Sequence, residues 1–200
     1  MPRTMRFILA EEFWVLDALS PAEWQLIREL PDVAAGNRFS DKAKERLFPS
    51  PLSEEVIADE STLTQIEDWD ELIRPELEES FAQARYIVEK DLRNARAVPF
   101  DEVIPVEIAE EILEEAGFMM PGHLLYRVDV PHEHTEPWYS TLNQARLLMN
   151  EEYDLADAEE RMLIRSSGTG GMDEERMILF AQYELYSVVQ SILVENLMGD

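Results

Sequence analysis

The stretch DEERMILFAQYELYSVVQSILVENLM, residues 173–198, decides the fold class. Met177, Phe180, Ala181, Leu185, Val188 and Ile192 recur at steps of three and four, and the stretch 194–197 sustains them, the signature of one long helix. Apolar residues occupy much of its circumference. A helix of that kind is expected at the centre of the fold, or shared with a partner chain.

Working outward, the same period recurs. Trp69, Leu72, Ile73, Leu77, Phe81, Ala84, Ile87, Val88 and Leu92 keep helical steps, with Pro75 starting or kinking the helix and its best part over 76–95. Trp138, Leu142, Ala145, Leu148 and Met149 predict a helix over about 137–150. Shorter helices are expected at 40–48, 106–116 and 156–165. Ser20, Pro21 and Glu23 form a capping box with proline at the first helical position, opening a helix that Pro31 is expected to stop. Strand signals are sparse: apolar runs at 5–9 and 13–16 read as a hairpin, and 124–130 alternates. The expected fold is mainly α: a helical bundle with a small peripheral β-hairpin and at most one or two further short strands, in one domain over residues 1–200.

Composition narrows the function. The chain has 43 acids against 17 bases, a net charge of −26, and no cysteine. A phosphate polymer is held by lysine and arginine clusters through counterion release, so nucleic acid is not an expected partner. An anionic membrane surface is disfavoured for the same reason. The absence of cysteine removes disulfides and thiolate metal sites and suits a reducing compartment. The N-terminal apolar run is too short for a signal peptide, and no run of ~18 apolar residues is present, so a soluble, cytoplasmic protein is expected. The charge is uneven: residues 1–48 carry 7 bases and 8 acids, residues 54–120 carry 5 and 20.

Five constellations carry possible chemistry. His132 and His134 flank Glu133 on a Pro-bounded loop, with His123 upstream; on an extended segment both rings would point one way and form a metal chelate. The plainer alternative is a polar loop ahead of a helix. Asn143 and Arg146 form a polar pair inside an apolar helix. Buried polar groups need partners, so Arg146 is expected to anchor a carboxylate or helix C-terminus, or else to line a cleft as an anion-binding residue. Arg38, Lys42, Lys44 and Arg46 form the one dense basic patch, which either docks an acidic partner or a second copy, or is held by local pairs. Glutamates 107, 110, 111, 114 and 115 read as a solvated helix face. The glycine-rich segment 168–171 precedes Asp173, Glu174 and Glu175, which repel an anion, so it is not a phosphate loop.

The segment Arg46-Leu47-Phe48-Pro49, followed later by Trp138, Leu142, Asn143, Arg146 and Leu147 in a W-x-x-x-L-N-x-x-R-L pattern, resembles a bacterial family, the domain of unknown function numbered two-thousand-seventeen. The resemblance covers roughly residues 6 to 197. It implies a small helical cytoplasmic protein, often encoded near the Clp protease adaptor, and hints at regulated proteolysis. It supplies no catalytic residue. The reading that follows is a non-enzymatic protein-interaction or regulatory module that needs no cofactor and binds a protein partner or itself as a homo-oligomer. The alternative is a metal-binding protein or metal-dependent hydrolase using His132 and His134.

Overall fold

Two short apolar strands meet across the turn at Glu11 and Glu12, as the sequence predicts. Strand β1 (Arg6–Leu9) pairs antiparallel with β2 (Phe13–Leu19), and the Ala10 N–H donates to the Phe13 carbonyl at 3.0 Å to close the turn. The computed structural model describes residues 5–49, 68–103, 124–155 and 173–198. The expected helices at 106–116 and 156–165, the glutamate run, the glycine-rich segment and His123 lie outside them.

The hairpin is not a peripheral add-on. Strand β4 (Leu124–Pro131) pairs antiparallel with the far side of β2, and β3 (Arg96–Pro99) pairs with β4. The result is a four-stranded antiparallel sheet in the order β1-β2-β4-β3, larger than the hairpin expected. Strand β2 runs past its expected end at 16, and its residues 14–19 are all buried, so both of its faces are covered. Its register with β4 shifts between Leu16 and Leu19, where Ala18 takes a positive φ of 56°. A bulge of this kind is usually built on glycine.

Helix α1 (Pro21–Arg28) opens on the predicted capping box: the Ser20 hydroxyl accepts from the Glu23 N–H and the Glu23 carboxylate accepts from the Ser20 N–H. Pro31 does not end the helical segment. It occupies the first turn of a second helix, α2 (Leu30–Ala35), where proline lacks only an N–H that has no intrahelical partner anyway. Gly36, at φ 74°, then terminates α2 in the left-handed conformation. Helix α3 (Asp41–Glu45) is capped by Ser40. After a π-helical turn (Trp69–Ile73) comes α4 (Arg74–Arg93), and a one-turn helix α5 (Phe100–Val103) follows β3. Helices α6 (Thr135–Tyr153) and α7 (Glu174–Leu197) complete the described chain, the latter capped by Asp173.

Helix α6 is the hub: it packs against α2, α3, α4 and α7. Leu142, Ala145, Leu148 and Met149 of α6 are fully buried. The helices lie on the sheet face that presents Trp14, Leu16, Val128 and Val130, and all of these share one hydrophobic core. The helical layer therefore rests on a sheet instead of forming a free-standing bundle, while the fold stays mainly α. The edge-to-face contact of Trp14 with Trp138, ring centroids 5.3 Å apart, joins the two layers.

The terminal helix α7 lies to one side of that hub, against α6 and α1. By length and mean hydropathy it alone among the described helices would suffice to cross a membrane. Its Phe180, Tyr183, Leu185, Tyr186, Val189 and Leu193 instead lie in the common core. Tyr186 also satisfies an orphan carbonyl at the end of α1, donating to the Leu26 oxygen at 2.9 Å and accepting from Gln182 at 3.0 Å.

Candidate functional site

The two histidines of the loop ahead of α6 turn to separate partners. Residues His132–His134 make a single 3-10 turn, so their rings diverge where an extended segment would have aligned them. The His132 Nε2 is 2.9 Å from the Ala10 carbonyl, tying the turn to the β1–β2 hairpin. The His134 Nδ1 lies 3.0 Å from both carboxylate oxygens of Asp91, which α4 supplies from its last turn. Asp91 is 5% exposed and accepts a second bond from the Trp138 Nε1–H at 2.9 Å. Thr135 bridges the same region, accepting from the Trp14 indole at 3.2 Å and donating to the His132 carbonyl at 2.7 Å. Among the described residues, no three histidines or acids converge on a point where a metal would sit. The arrangement fixes the start of α6 between sheet and α4.

Asn143 and Arg146 do face a common partner, but it is neither of those expected. Arg146 donates to the Gln190 side-chain oxygen of α7, and its guanidinium lies 5.3 Å from the Tyr183 ring centroid. Gln190, itself buried, turns its amide toward Asn143 at 3.5 Å. An amide takes the place of the anticipated carboxylate or helix C-terminus, because α7 presents glutamine and tyrosine at this crossing. The Arg146 Nε is buried with no hydrogen-bond partner.

Three members of the basic patch are compensated from within the chain. Lys42 pairs with Glu151 at 2.9 Å, Lys44 with Asp41 at 3.2 Å, and Arg38 lies 3.9 Å from Glu29 and against the Phe39 ring. The hydrogen bond between Lys42 and Glu151 raises the amine pKa and lowers that of the carboxyl. Ser40 adds a bond to Glu152, so α3 is docked on the end of α6 by polar contacts. Arg46 is exposed and has no ion pair among the described residues.

Two features escape the sequence reading. The first is the outer side of β1, an edge of the sheet among the described residues. Ile8 and Leu9 are 38% and 54% exposed there, beside the exposed Glu11 and Glu12, and Phe13, which opens β2 across the turn, is 36% exposed. With Ala10 bonded to Phe13, antiparallel alternation turns the N–H groups of Phe7 and Leu9 away from β2. The second is Arg85 of α4, half-buried above α6, which donates to the Gln144 side-chain oxygen at 2.6 Å and has no acid partner among the described residues. Burial alone lowers its pKa. It forms one wall of a cleft of about 580 Å³ between α1, α2 and α4. Neither feature leaves a local mark in the sequence, because each depends on which elements the fold brings together.

A mainly helical domain on a four-stranded antiparallel sheet, strongly acidic overall and exposing an apolar edge, is the class these observations define. The family described as Domain of unknown function (DUF2017) matches residues 9–197, nearly the whole chain, and the protein belongs to that family. No curated protein and no solved structure matches the chain.

Proposed function

We propose that the chain is a soluble, cytoplasmic, non-enzymatic interaction module whose β1 edge receives an extended, apolar and basic segment of a protein partner. The observation that carries this is the edge itself: exposed Ile8 and Leu9 on β1, whose outer side is unpaired among the described residues, next to Glu11 and Glu12 and to the exposed Phe13 that opens β2. An open strand offers a row of donors and acceptors to another chain, and such edges are ordinarily shielded by charge, proline or a covering element. Strand addition takes its affinity from main-chain hydrogen bonds and its specificity from alternate side chains. The acids at the turn favour lysine or arginine in the incoming segment, as does the net charge of −26. That charge also opposes a second copy as the occupant. A role in regulated proteolysis, which the family resemblance implies, would use an edge that accepts a chain in extended form.

The test uses a ten-residue peptide alternating valine and lysine, and a proline-interrupted peptide of equal charge, measured by fluorescence anisotropy. Leu9→Pro removes an outward N–H from an edge position where proline is tolerated. The alternating peptide is expected to bind the wild-type chain and to lose at least about tenfold on Leu9→Pro, with the interrupted peptide indifferent. Equal affinity of both proteins for the alternating peptide overturns the proposal. A concentration-dependent dimer in sedimentation, abolished by Leu9→Pro, replaces the partner segment with a second copy.

A further inference from the structure

We infer that the cleft between α1, α2 and α4 is a binding site for a small anionic ligand, whose carboxylate or phosphate group pairs with Arg85 and whose flat apolar body lies against Tyr86. Arg85 stands apart from its neighbours in having no acid partner among the described residues. Other arginines of α4 take acids from the spacing of the helix: Arg74 pairs with Asp70 and Glu78, Arg93 with Glu89. Glu89 stands four residues after Arg85, a spacing that suits an ion pair, yet it turns to Arg93 instead. Among the described residues, no acid pairs with this half-buried guanidinium. Desolvating a charge without a counter-ion is costly, and an arginine so placed is explained when a transient anion completes it.

The second observation is that Arg85 is held in position without being neutralised. Among the described residues its one hydrogen-bond partner is the neutral Gln144, buried in α6, whose amide nitrogen is fixed in turn by the Ser140 hydroxyl at 3.1 Å. One guanidinium N–H is thereby used, and four donors of a planar fork are left for a carboxylate or phosphate. The third is the cleft. Its volume of about 580 Å³ lies in the range of small-molecule sites. Arg28, exposed and without an ion pair among the described residues, adds a second cation to its wall. Tyr86, 58% exposed, supplies an aromatic face. With Arg93 and Glu89 paired to each other, Arg28 and Arg85 against Asp32 leave this cleft one net positive charge on a strongly negative molecule. Such a surface repels a phosphate polymer while the cleft admits a small anion.

Isothermal titration calorimetry on the full chain tests this with two probes, phenyl phosphate and benzoate, and with sodium chloride at matched ionic strength as the control. Saturable one-to-one binding of either probe is expected, and the tighter of the two identifies the group as phosphate or carboxylate. Arg85→Gln should abolish it and Arg28→Ala should weaken it about tenfold. Lys90→Ala, the same charge change at an exposed site on α4, should leave it unchanged. Absence of saturable binding by both probes overturns the inference, as does equal binding by Arg85→Gln and Lys90→Ala. Should Arg85→Gln not fold, Arg28→Ala decides: affinity equal to Lys90→Ala overturns it. Leu9→Pro is expected to bind the probes normally, so the strand edge and the cleft stand or fall separately.

Discussion

Asp91 and Trp138 are bonded inside the core, the indole Nε1–H of a fully buried tryptophan donating to the carboxylate at 2.9 Å. The same carboxylate faces the His134 Nδ1 at 3.0 Å. One acid from α4 therefore orients both the turn before α6 and the largest side chain of that helix. Removing it strands two polar groups, and the penalty is that of unmade hydrogen bonds plus a small cavity. Asp91→Ala is expected to lower the unfolding free energy by about 2–4 kcal/mol, and Asp91→Asn by less, since one side-chain oxygen remains. Urea denaturation measures both. A loss under about 1 kcal/mol for Asp91→Ala would contradict the role assigned to it.

Tyr186 is the corresponding link between α7 and α1. Burial pushes its phenol pKa well above the usual range, against a smaller lowering by the Gln182 hydrogen bond. Tyr186→Phe leaves the Leu26 carbonyl without this donor and should cost about 1–2 kcal/mol. In an absorbance titration of the folded protein, Tyr186 should not ionise by about pH 11, where an ordinary tyrosine has done so. Ionisation of all six tyrosines below that pH in the native state would refute the burial argument.

Legibility in the sequence followed how local the cause was. The capping box at Ser20 was readable because all its parts lie within four residues. Pro31 was misread because proline marks both the end of one helix and the first turn of another, and only the geometry at Glu29 decides between them. Strand β3 was missed: four residues ending in Pro99 show no alternation long enough to register, and only pairing with β4 makes them a strand. Asn143 and Arg146 were recognisable as an internal polar pair from α6 alone. Their partner Gln190 lies 44 residues after Arg146, and Arg85 reaches Gln144 across 59.

Two helix ends adopt the left-handed conformation with opposite consequences. Gly36 needs it at the end of α2, and a Cβ there would approach Leu148 Cδ1 to 3.3 Å. Gly36→Ala should cost about 1–2 kcal/mol. Asp154 ends α6 at φ 51°, with a side chain and a negative charge at a helix C-terminus. Asp154→Gly relieves both and should stabilise by about 0.5–1 kcal/mol. Thermal unfolding of the pair checks the contrast; shifts of the same sign would argue against it.

On the sheet face away from the helices, Asp129 of β4 sits between Arg127, 3.0 Å away, and Arg96 of β3. Burial raises its pKa, but the hydrogen bonds and charges of the two arginines outweigh that and hold it below its ordinary 3.8. A carboxyl whose folded-state pKa is depressed contributes stability above its unfolded pKa and loses it as pH falls through the folded value. The stability difference between wild type and Asp129→Asn should therefore be constant above about pH 5 and shrink below about pH 4. Urea midpoints of both proteins across that window measure it. A difference that persists undiminished to the acid limit of folding would mean that the arginines do not act on the ionised form.

The −26 charge sets the last expectation. Close pairs such as Lys42 with Glu151, and Arg127 with Asp129, lie at hydrogen-bond distance. The unbalanced remainder consists of acids repelling one another across the surface, over distances comparable to the ~10 Å screening length at 0.1 M salt. Added salt thus removes more repulsion than attraction, and the folded state, where charges are closest, gains most. The melting temperature should rise between about 10 mM and about 200 mM sodium chloride, with most of the gain below about 100 mM. A flat or falling curve would mean that the excess acids are already compensated within the fold, as Lys42 and Lys44 of α3 are.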